Sequence, residues 1–208
     1  MIRTFVSEVK VQINNTLECL KLYVLSLKMG GVISASIVKN GKYISLGKRI
    51  YIKKGCRIEC FEGFGNQNFT PSFIIGDRVN IQYNFTALVT AKVEIGCDTI
   101  IASNVSLISE NHGMDPMSSL HYHAQPLKTS NIIIGKGCWI GQNTTILPNV
   151  CIGDKTIIGA NSLVNHSIPS YSIAVGNPCR IIKRYNFDSK QWEKTDKDGN
   201  FLTKDNKL

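Results

Sequence analysis

The segment from Ile132 to Ile168 reads IIIGKGCWIGQNTTILPNVCIGDKTIIGANSLVNHSI, and it decides the fold. An aliphatic residue recurs in it at every sixth position without a slip, at Ile134, Ile140, Ile146, Ile152, Ile158 and Val164. Neither an α-helix, with 3.6 residues per turn, nor a simple strand, with a period of two, produces this spacing. Hexads are typical of a parallel β-helix, in which each repeat forms one short flat face and a tight corner.

Three faces complete one coil of such a solenoid, so residues three hexads apart should stack. The sequence therefore predicts Ile134 over Ile152, Ile140 over Ile158 and Ile146 over Val164, with all these side chains pointing inward. Neighbouring coils should lie about 4.8 Å apart, the spacing of hydrogen-bonded strands.

Three regions follow from the periodicity. Residues 1–30 are predicted to form a helical cap, because apolar residues recur there at spacings of three and four. The helix either covers the open end of the solenoid or also touches a membrane surface or a partner. Residues 31–184 are predicted to form the β-helix, irregular before Ile75 and interrupted by an excursion loop at 111–131. Residues 185–208 are predicted to form a short helix, from Asp188 to Glu193, and a polar tail.

The composition bounds the kind of protein. A chain of 208 residues suits one domain, and its seven cysteines form no CxxC pair, which favours reduced thiols in the cytoplasm. Neither a membrane-spanning segment nor a signal peptide is predicted. The net charge is +9, and residues 1–60 hold eleven Lys and Arg against three Glu. This positive end predicts a peripheral contact with the inner membrane or a phosphorylated substrate; no nucleic-acid motif accompanies it.

Two further motifs carry a resemblance to a known family. Gly137-Cys138-Trp139-Ile140-Gly141, the regular coils after it, and Ala174-Val175-Gly176-Asn177-Pro178-Cys179-Arg180 resemble the hexapeptide-repeat acetyltransferases. Among these, the chain looks most similar to O-acetyltransferases of bacterial surface polysaccharide (O-antigen or capsule), and less so to galactoside and maltose acetyltransferases. The resemblance implies a left-handed parallel β-helix, a homotrimer with active sites between subunits, acetyl-CoA as donor, a carbohydrate acceptor and no metal.

On the acceptor side, the resemblance places the catalytic histidine at His112, in the excursion loop. An imidazole can take the proton of a hydroxyl that is otherwise a poor nucleophile. Asn84 matches an asparagine that contacts the acceptor in sugar acetyltransferases, although a corner asparagine with an unusual backbone angle is an alternative. Asp115 either orients His112 or caps a turn.

On the donor side, the resemblance places coenzyme A in the groove between subunits. An outward tryptophan needs cover from a ligand or an interface, and basic residues suit the coenzyme's phosphates. The predicted donor residues are Trp139, Gln142, Ala160, Asn165, Arg180 and Lys183.

Three alternatives remain at this point. N-acetylation of an amino sugar nucleotide would use the same fold and donor. A zinc enzyme like the gamma-class carbonic anhydrases would use three histidines, for which His112, His121 and His123 are the candidates. A non-catalytic scaffold would leave Trp139, Arg180 and the loop histidine without a common purpose.

Overall fold

A three-faced parallel β-helix forms the body of the molecule. The computed structural model describes residues 2–196 and 199–202, so residues 197–198 and 203–208 of the predicted polar tail lie outside the described residues. Helix α1 (Ile2–Lys28) precedes the strands and confirms the predicted N-terminal helical segment. No helix in the described ranges has both the length and the apolar character needed to cross a membrane.

The strands of the coils stack in parallel on three faces, named A, B and C. Face A holds, in order, β1 (Val32–Ile33), β4 (Tyr51–Ile52), β9 (Asn80–Ile81), β12 (Ile100–Ile101), β17 (Trp139–Ile140), β20 (Ile157–Ile158) and β22 (Ser172–Val175). Face B holds β2 (Ile37–Lys39), β5 (Arg57–Cys60), β10 (Thr86–Val89), β13 (Ser106–Ile108), β18 (Thr145–Ile146) and β21 (Leu163–Val164). Face C holds β3 (Ile44–Leu46), β8 (Ser72–Ile75), β11 (Lys92–Ile95), β16 (Ile132–Ile134) and β19 (Val150–Ile152).

Smaller elements leave these faces. One hairpin pairs β6 (Gly63–Phe64) with β7 (Gln67–Asn68), and the base of the excursion loop pairs β14 (Glu110–Asn111) with β15 (Lys128–Thr129). Short 3-10 helices cover Gly41–Tyr43 and Tyr122–Ala124. At the C-terminal end, β23 (Arg180–Asn186) pairs antiparallel with β22 and with β24 (Gln191–Lys194), extending the sheet of face A.

The predicted register is confirmed. Ile134 pairs with Ile152, Ile140 with Ile158 and Ile146 with Val164, and all six side chains are buried. One aliphatic column per face therefore fills the interior, which is why a strict six-residue spacing is required.

The edge between faces A and B is built from asparagines. Four of its residues have a left-handed φ: Asn84 (58°), Asn104 (60°), Asn143 (58°) and Asn161 (57°). Asparagine tolerates this left-handed region better than most residues. Each side-chain amide donates to the next along the edge, at 3.1, 2.9 and 3.0 Å. This asparagine ladder fixes the corner from one coil to the next.

Helix α1 packs on β1 and β2 at the first coil. Leu22 is buried against the core and Cys19 packs beside it. The Ser26 hydroxyl accepts from the Ile33 amide at 3.0 Å and donates to the Tyr23 carbonyl at 2.7 Å. The helix therefore covers the end of the apolar interior.

The predicted helix from Asp188 to Glu193 is wrong. The Asn186 side chain accepts from the backbone amides of Asp188 (2.9 Å) and Ser189 (3.3 Å), and Lys190 follows with a left-handed φ of 56°. Such local side-chain bonds favour a turn over a helix. The chain reverses and returns as β24, where Trp192 packs edge-on against Tyr185.

Candidate active site

His112 lies at the edge between faces B and C, immediately after β14. Its imidazole is exposed and packs edge-on against Phe64, with 5.3 Å between ring centroids. A cavity of about 170 Å³ opens beside it, lined by Phe61, Gly63, Phe64, Thr90, Glu110, His112 and Leu127. The histidine thus stands in a small, mostly apolar recess and remains accessible to solvent.

The β6–β7 hairpin is the wall of this recess that sequence reasoning missed. Gln67 joins the hairpin to the excursion loop, because its side chain donates to the Leu127 carbonyl at 3.0 Å and accepts from the Leu127 amide at 2.6 Å. Phe64 contacts the histidine directly. The available signal was the irregular spacing of the hexads before Ile75, which does not specify a hairpin.

Asp115 acts as a turn cap in this structure. Its carboxylate accepts from the Met117 amide at 2.9 Å, and in the described part of the chain it makes no hydrogen bond to His112. The loop is organised around the buried Gln125, whose side chain accepts from the Asp115 amide at 3.0 Å and donates to the Asp115 carbonyl at 2.9 Å. The geometry favours the turn-capping alternative.

Glu110 is the carboxylate that shares the recess with His112. It is half-buried, precedes the histidine by two residues, and lines the same cavity. Because side chains two residues apart in an extended segment point to the same side, the two groups face one space. Nothing in the sequence pattern distinguished Glu110 from an ordinary strand residue.

Asn84 lies at the other end of face B. It has a left-handed φ of 58° and begins the asparagine ladder, so it has the structural role of a corner asparagine. Face B runs from Asn84 to Thr90, which lines the His112 recess. Six extended residues span about 20 Å at about 3.3 Å each. Within one chain, Asn84 and His112 cannot touch the same hydroxyl group.

Most predicted donor residues gather on face A and its edge with face B. Trp139 points outward with 54% of its surface exposed. It belongs to one outward column, in which Trp139 pairs with Ile157, Ile157 with Ile173, and Ile173 with Lys183. Arg180 begins β23 in the same sheet, and the Asn161 amide donates to the Gln142 carbonyl at 2.8 Å, directly after Ala160.

The charges of this group fit a phosphorylated ligand. Arg180 donates to the Cys179 carbonyl at 2.7 Å, and neither Arg180 nor Lys183 forms a salt bridge to a described carboxylate. An outward indole and two cations without a described salt bridge lie on the same sheet, and such groups suit a ligand with aromatic and phosphate parts.

Asn165 is separated from the other donor residues. It lies on the edge between faces B and C, after β21, where its side chain contacts His166 at 2.9 Å. The predicted site residues therefore divide between two edges of the prism. His112, Asp115 and Asn165 lie on the B–C edge, whereas Asn84, Gln142 and Ala160 lie on the A–B edge beside Trp139, Arg180 and Lys183.

Comparison with known proteins agrees with this architecture. Residues 131–166 match the family described as bacterial transferase hexapeptide (six repeats). The chain is 37% identical over 163 residues to WbbJ of Escherichia coli K12, which carries the assignment of a lipopolysaccharide-biosynthesis O-acetyltransferase; the match covers 76% of this chain and 80% of WbbJ. The chain belongs to the hexapeptide-repeat acetyltransferases. The fold of this family is the left-handed parallel β-helix, as predicted.

Two solved structures extend the comparison. A galactoside acetyltransferase in complex with coenzyme A is 33% identical with a TM-score of 0.51, and the match covers 63% of each chain. AntD, an N-acyltransferase from Bacillus cereus solved with a dTDP-linked amino sugar and coenzyme A, gives a TM-score of 0.63 over 76% of this chain and 83% of that one. At 24% identity, AntD supports the fold alone.

The buried thiols of this hexapeptide-repeat acetyltransferase are poor nucleophiles. Burial raises the pKa of the Cys60 thiol to about 12, and burial also raises the pKa values of Cys56, Cys138 and Cys179. Because the thiolate is the reactive form, these cysteines are inert near neutral pH. They pack as small apolar residues in the core.

The three loop histidines do not converge in this hexapeptide-repeat acetyltransferase. His121 and His123 stack on each other, 5.8 Å apart, whereas His112 packs on Phe64. Among residues 2–196 and 199–202, no group of three or more His, Cys, Asp and Glu side chains could hold a metal ion. The arrangement gives the zinc alternative no support.

Proposed function

We propose that this acetyltransferase moves an acetyl group from acetyl-CoA to a sugar hydroxyl in the synthesis of a bacterial surface polysaccharide, such as O-antigen or capsule. One observation carries the proposal: a recess that holds His112 and Glu110 lies on one edge, and an outward aromatic surface with two cations lies on face A, as the acceptor and donor halves of a transferase site would require. The similarity to WbbJ, which covers most of both chains, supports the acceptor class.

The two halves meet only between two chains. We propose a homotrimer in which the B–C edge of one subunit, with His112 and Asn165, lies against face A and the A–B edge of the next subunit. Trp139, half-exposed in one chain, would then be covered by coenzyme A and the neighbour. In the same arrangement, Asn84 from one subunit approaches His112 from the other, which the 20 Å width of face B forbids within a chain.

The chemistry at this composite site is direct transfer. His112 accepts the proton of the acceptor hydroxyl while that oxygen bonds to the thioester carbonyl carbon. The carbon–sulfur bond then breaks, and His112 returns its proton to the departing thiolate. Glu110, which shares the recess, stabilises the imidazolium between these two events. The raised pKa values of the buried thiols argue against a covalent acetyl group on Cys56, Cys60, Cys138 or Cys179.

The coenzyme is the donor that fits face A. Its phosphates would contact Arg180 and Lys183, and its pantetheine arm would pass Trp139 and the backbone near Ala160. Arg180→Ala removes a bidentate phosphate donor from a position where no described carboxylate competes for it. We expect the KM for acetyl-CoA to rise roughly tenfold or more, as for the loss of one charge-assisted hydrogen bond, with the KM for the acceptor little changed.

Lys190→Ala is the control for this change, since it removes an exposed cation on the β23–β24 turn, outside the proposed donor surface. Equal binding of acetyl-CoA by wild type and Arg180→Ala in calorimetry would contradict the placement of the phosphates.

The overall activity is tested by mixing the purified protein with acetyl-CoA and a panel of sugars, amino sugars and sugar nucleotides. We expect acceptor-dependent release of free thiol and a product ester that hydroxylamine cleaves. A product amide, stable to hydroxylamine, would establish the alternative, N-acetylation of an amino sugar nucleotide. No thiol release with any acceptor in the presence of bound coenzyme would contradict a transferase.

The cell compartment follows from the thiols and the donor. All seven cysteines are free, and four are buried, which suits a reducing environment. We therefore infer a cytoplasmic enzyme that contacts the inner membrane through the basic residues 1–60.

A further inference from the structure

Most of the large apolar side chains that the structure describes on helix α1 are exposed to solvent. Its inward side carries Cys19, Leu22 and Ser26, which contact the first coil. Its outward side carries a stripe at spacings of three and four residues, formed by Leu17, Leu20, Val24 and Leu27, which are 49, 55, 44 and 49% exposed. A surface helix ordinarily presents polar residues outward, so this exposed apolar stripe indicates a surface that binds a partner.

Basic residues border this stripe. At 100° per residue, Lys21 and Lys28 fall on one flank of the stripe, and a shallow cavity of about 380 Å³ joins them to Leu20, Val24 and Leu25. Lys21 forms a salt bridge with Glu18 at 2.8 Å, whereas Lys28 has none with a described carboxylate. An apolar stripe flanked by lysines is the design of a helix that lies in a membrane interface.

We propose that the outward stripe of α1 docks this enzyme on an anionic lipid bilayer, with the stripe in the acyl boundary and Lys21 and Lys28 among the headgroups. The eleven Lys and Arg against three Glu in residues 1–60 attract the same surface. A second copy of this chain is a poorer occupant, because apposing two such ends would bring like charges together. The docking does not depend on which sugar is acetylated; it would hold the enzyme where lipid-linked acceptors lie.

The full-length protein tests this by co-sedimentation with two kinds of vesicle, phosphatidylglycerol with phosphatidylethanolamine, and phosphatidylcholine alone. We expect binding to the anionic vesicles and little to the neutral ones. Raising salt from about 0.1 M to about 1 M shortens the Debye length from about 10 to about 3 Å and should weaken the binding severalfold.

The matched variants separate the apolar from the charged contribution. Leu20→Ser with Val24→Ser should lower vesicle affinity at least tenfold, and Lys21→Gln with Lys28→Gln should lower it severalfold and flatten its salt dependence. Phe187→Ser is the control, since Phe187 is 62% exposed but lies on the C-terminal hairpin. Thiol release with a soluble acceptor should be unchanged in the Leu20–Val24 variant, so that failure of docking and failure of catalysis are distinguishable.

Two results would overturn the proposal. The first is wild-type affinity of the Leu20–Val24 variant for anionic vesicles. The second is a smaller assembly in light scattering for that variant with no vesicle binding by the wild type, which would make a second copy the occupant. If the variant fails to fold, hydrogen exchange of the wild type decides: anionic vesicles should protect residues 14–28, and equal exchange with and without vesicles contradicts docking.

Discussion

His112→Ala is expected to lower kcat by at least about a hundredfold while leaving the affinity for acetyl-CoA unchanged. A general base contributes roughly 10²–10⁴ in rate, and a hundredfold corresponds to about 2.7 kcal/mol in the activation free energy. The imidazole stands at the B–C edge beside Phe64. It takes no part in the proposed contacts of Arg180 and Lys183 with the coenzyme's phosphates, on which the affinity for acetyl-CoA mainly depends. Steady-state rates with both substrates varied, together with calorimetry of acetyl-CoA, measure the two quantities separately.

His121→Ala is the matched control for this change. It removes the same side chain from the same excursion loop, where His121 stacks on His123 and takes no part in the His112 recess. We expect near-normal turnover. Near-normal turnover in His112→Ala, or an equal loss in His121→Ala, would contradict the assignment of the base.

The order of the chemical steps gives the same assignment a second test. Direct transfer requires both substrates to be bound together, so double-reciprocal lines should intersect. Parallel lines would indicate a covalent acetyl-enzyme. The pKa of about 12 for Cys60 and the raised pKa values of the other buried thiols make such an intermediate on these cysteines unfavourable.

The stacking of the coils could be predicted from the sequence because each coil of a solenoid contacts only the coils next to it. Each inward position of Ile134 or Ile140 contacts the residue three hexads away, so local spacing determines the long-range register. The C-terminal segment lacks this property. Asn186 closes a turn through two side-chain hydrogen bonds, and the aromatic pair Tyr185–Trp192 completes a hairpin. No periodic pattern in the sequence predicts this hairpin.

Only part of the candidate site could be proposed from the sequence. His112 stood out through the resemblance to the acetyltransferase family, since the excursion loop holds three histidines. Phe64 and Gln67 did not, because they reach the loop from another coil; Gln67 and Leu127 are sixty positions apart in the chain. Asn84 was ambiguous because the ladder bond to Asn104 depends on stacking between coils, and a corner asparagine has the same sequence signature with or without a substrate.

Ile152→Asp is expected to abolish folding. Ile152 is fully buried on face C, paired with Ile134 on one side and bridged to Ile168 on the other. An ionised carboxylate at this position has no hydrogen-bond donor aimed at it, and burying it costs several kcal/mol even after relaxation. The whole free energy of unfolding of a domain is about 5–15 kcal/mol. One such substitution, in an interior with one aliphatic column per face, therefore removes most of that free energy. Soluble yield, circular dichroism and thermal unfolding measure the outcome.

Two neighbouring changes isolate the cause of that loss. Ile152→Val keeps an aliphatic side chain inside and should cost about 0.5–1.5 kcal/mol in unfolding free energy. Cys151→Asp places the same carboxylate one residue earlier, on the exposed side of the same strand, and should fold with little change in Tm. Because side chains alternate between the two sides of a strand, a register shifted by one residue would reverse these two aspartate results. A folded Ile152→Asp protein together with an unfolded Cys151→Asp protein would therefore contradict the register. An unfolded Ile152→Asp protein together with a folded Cys151→Asp protein is expected, because the interior is built of one inward aliphatic residue per hexad.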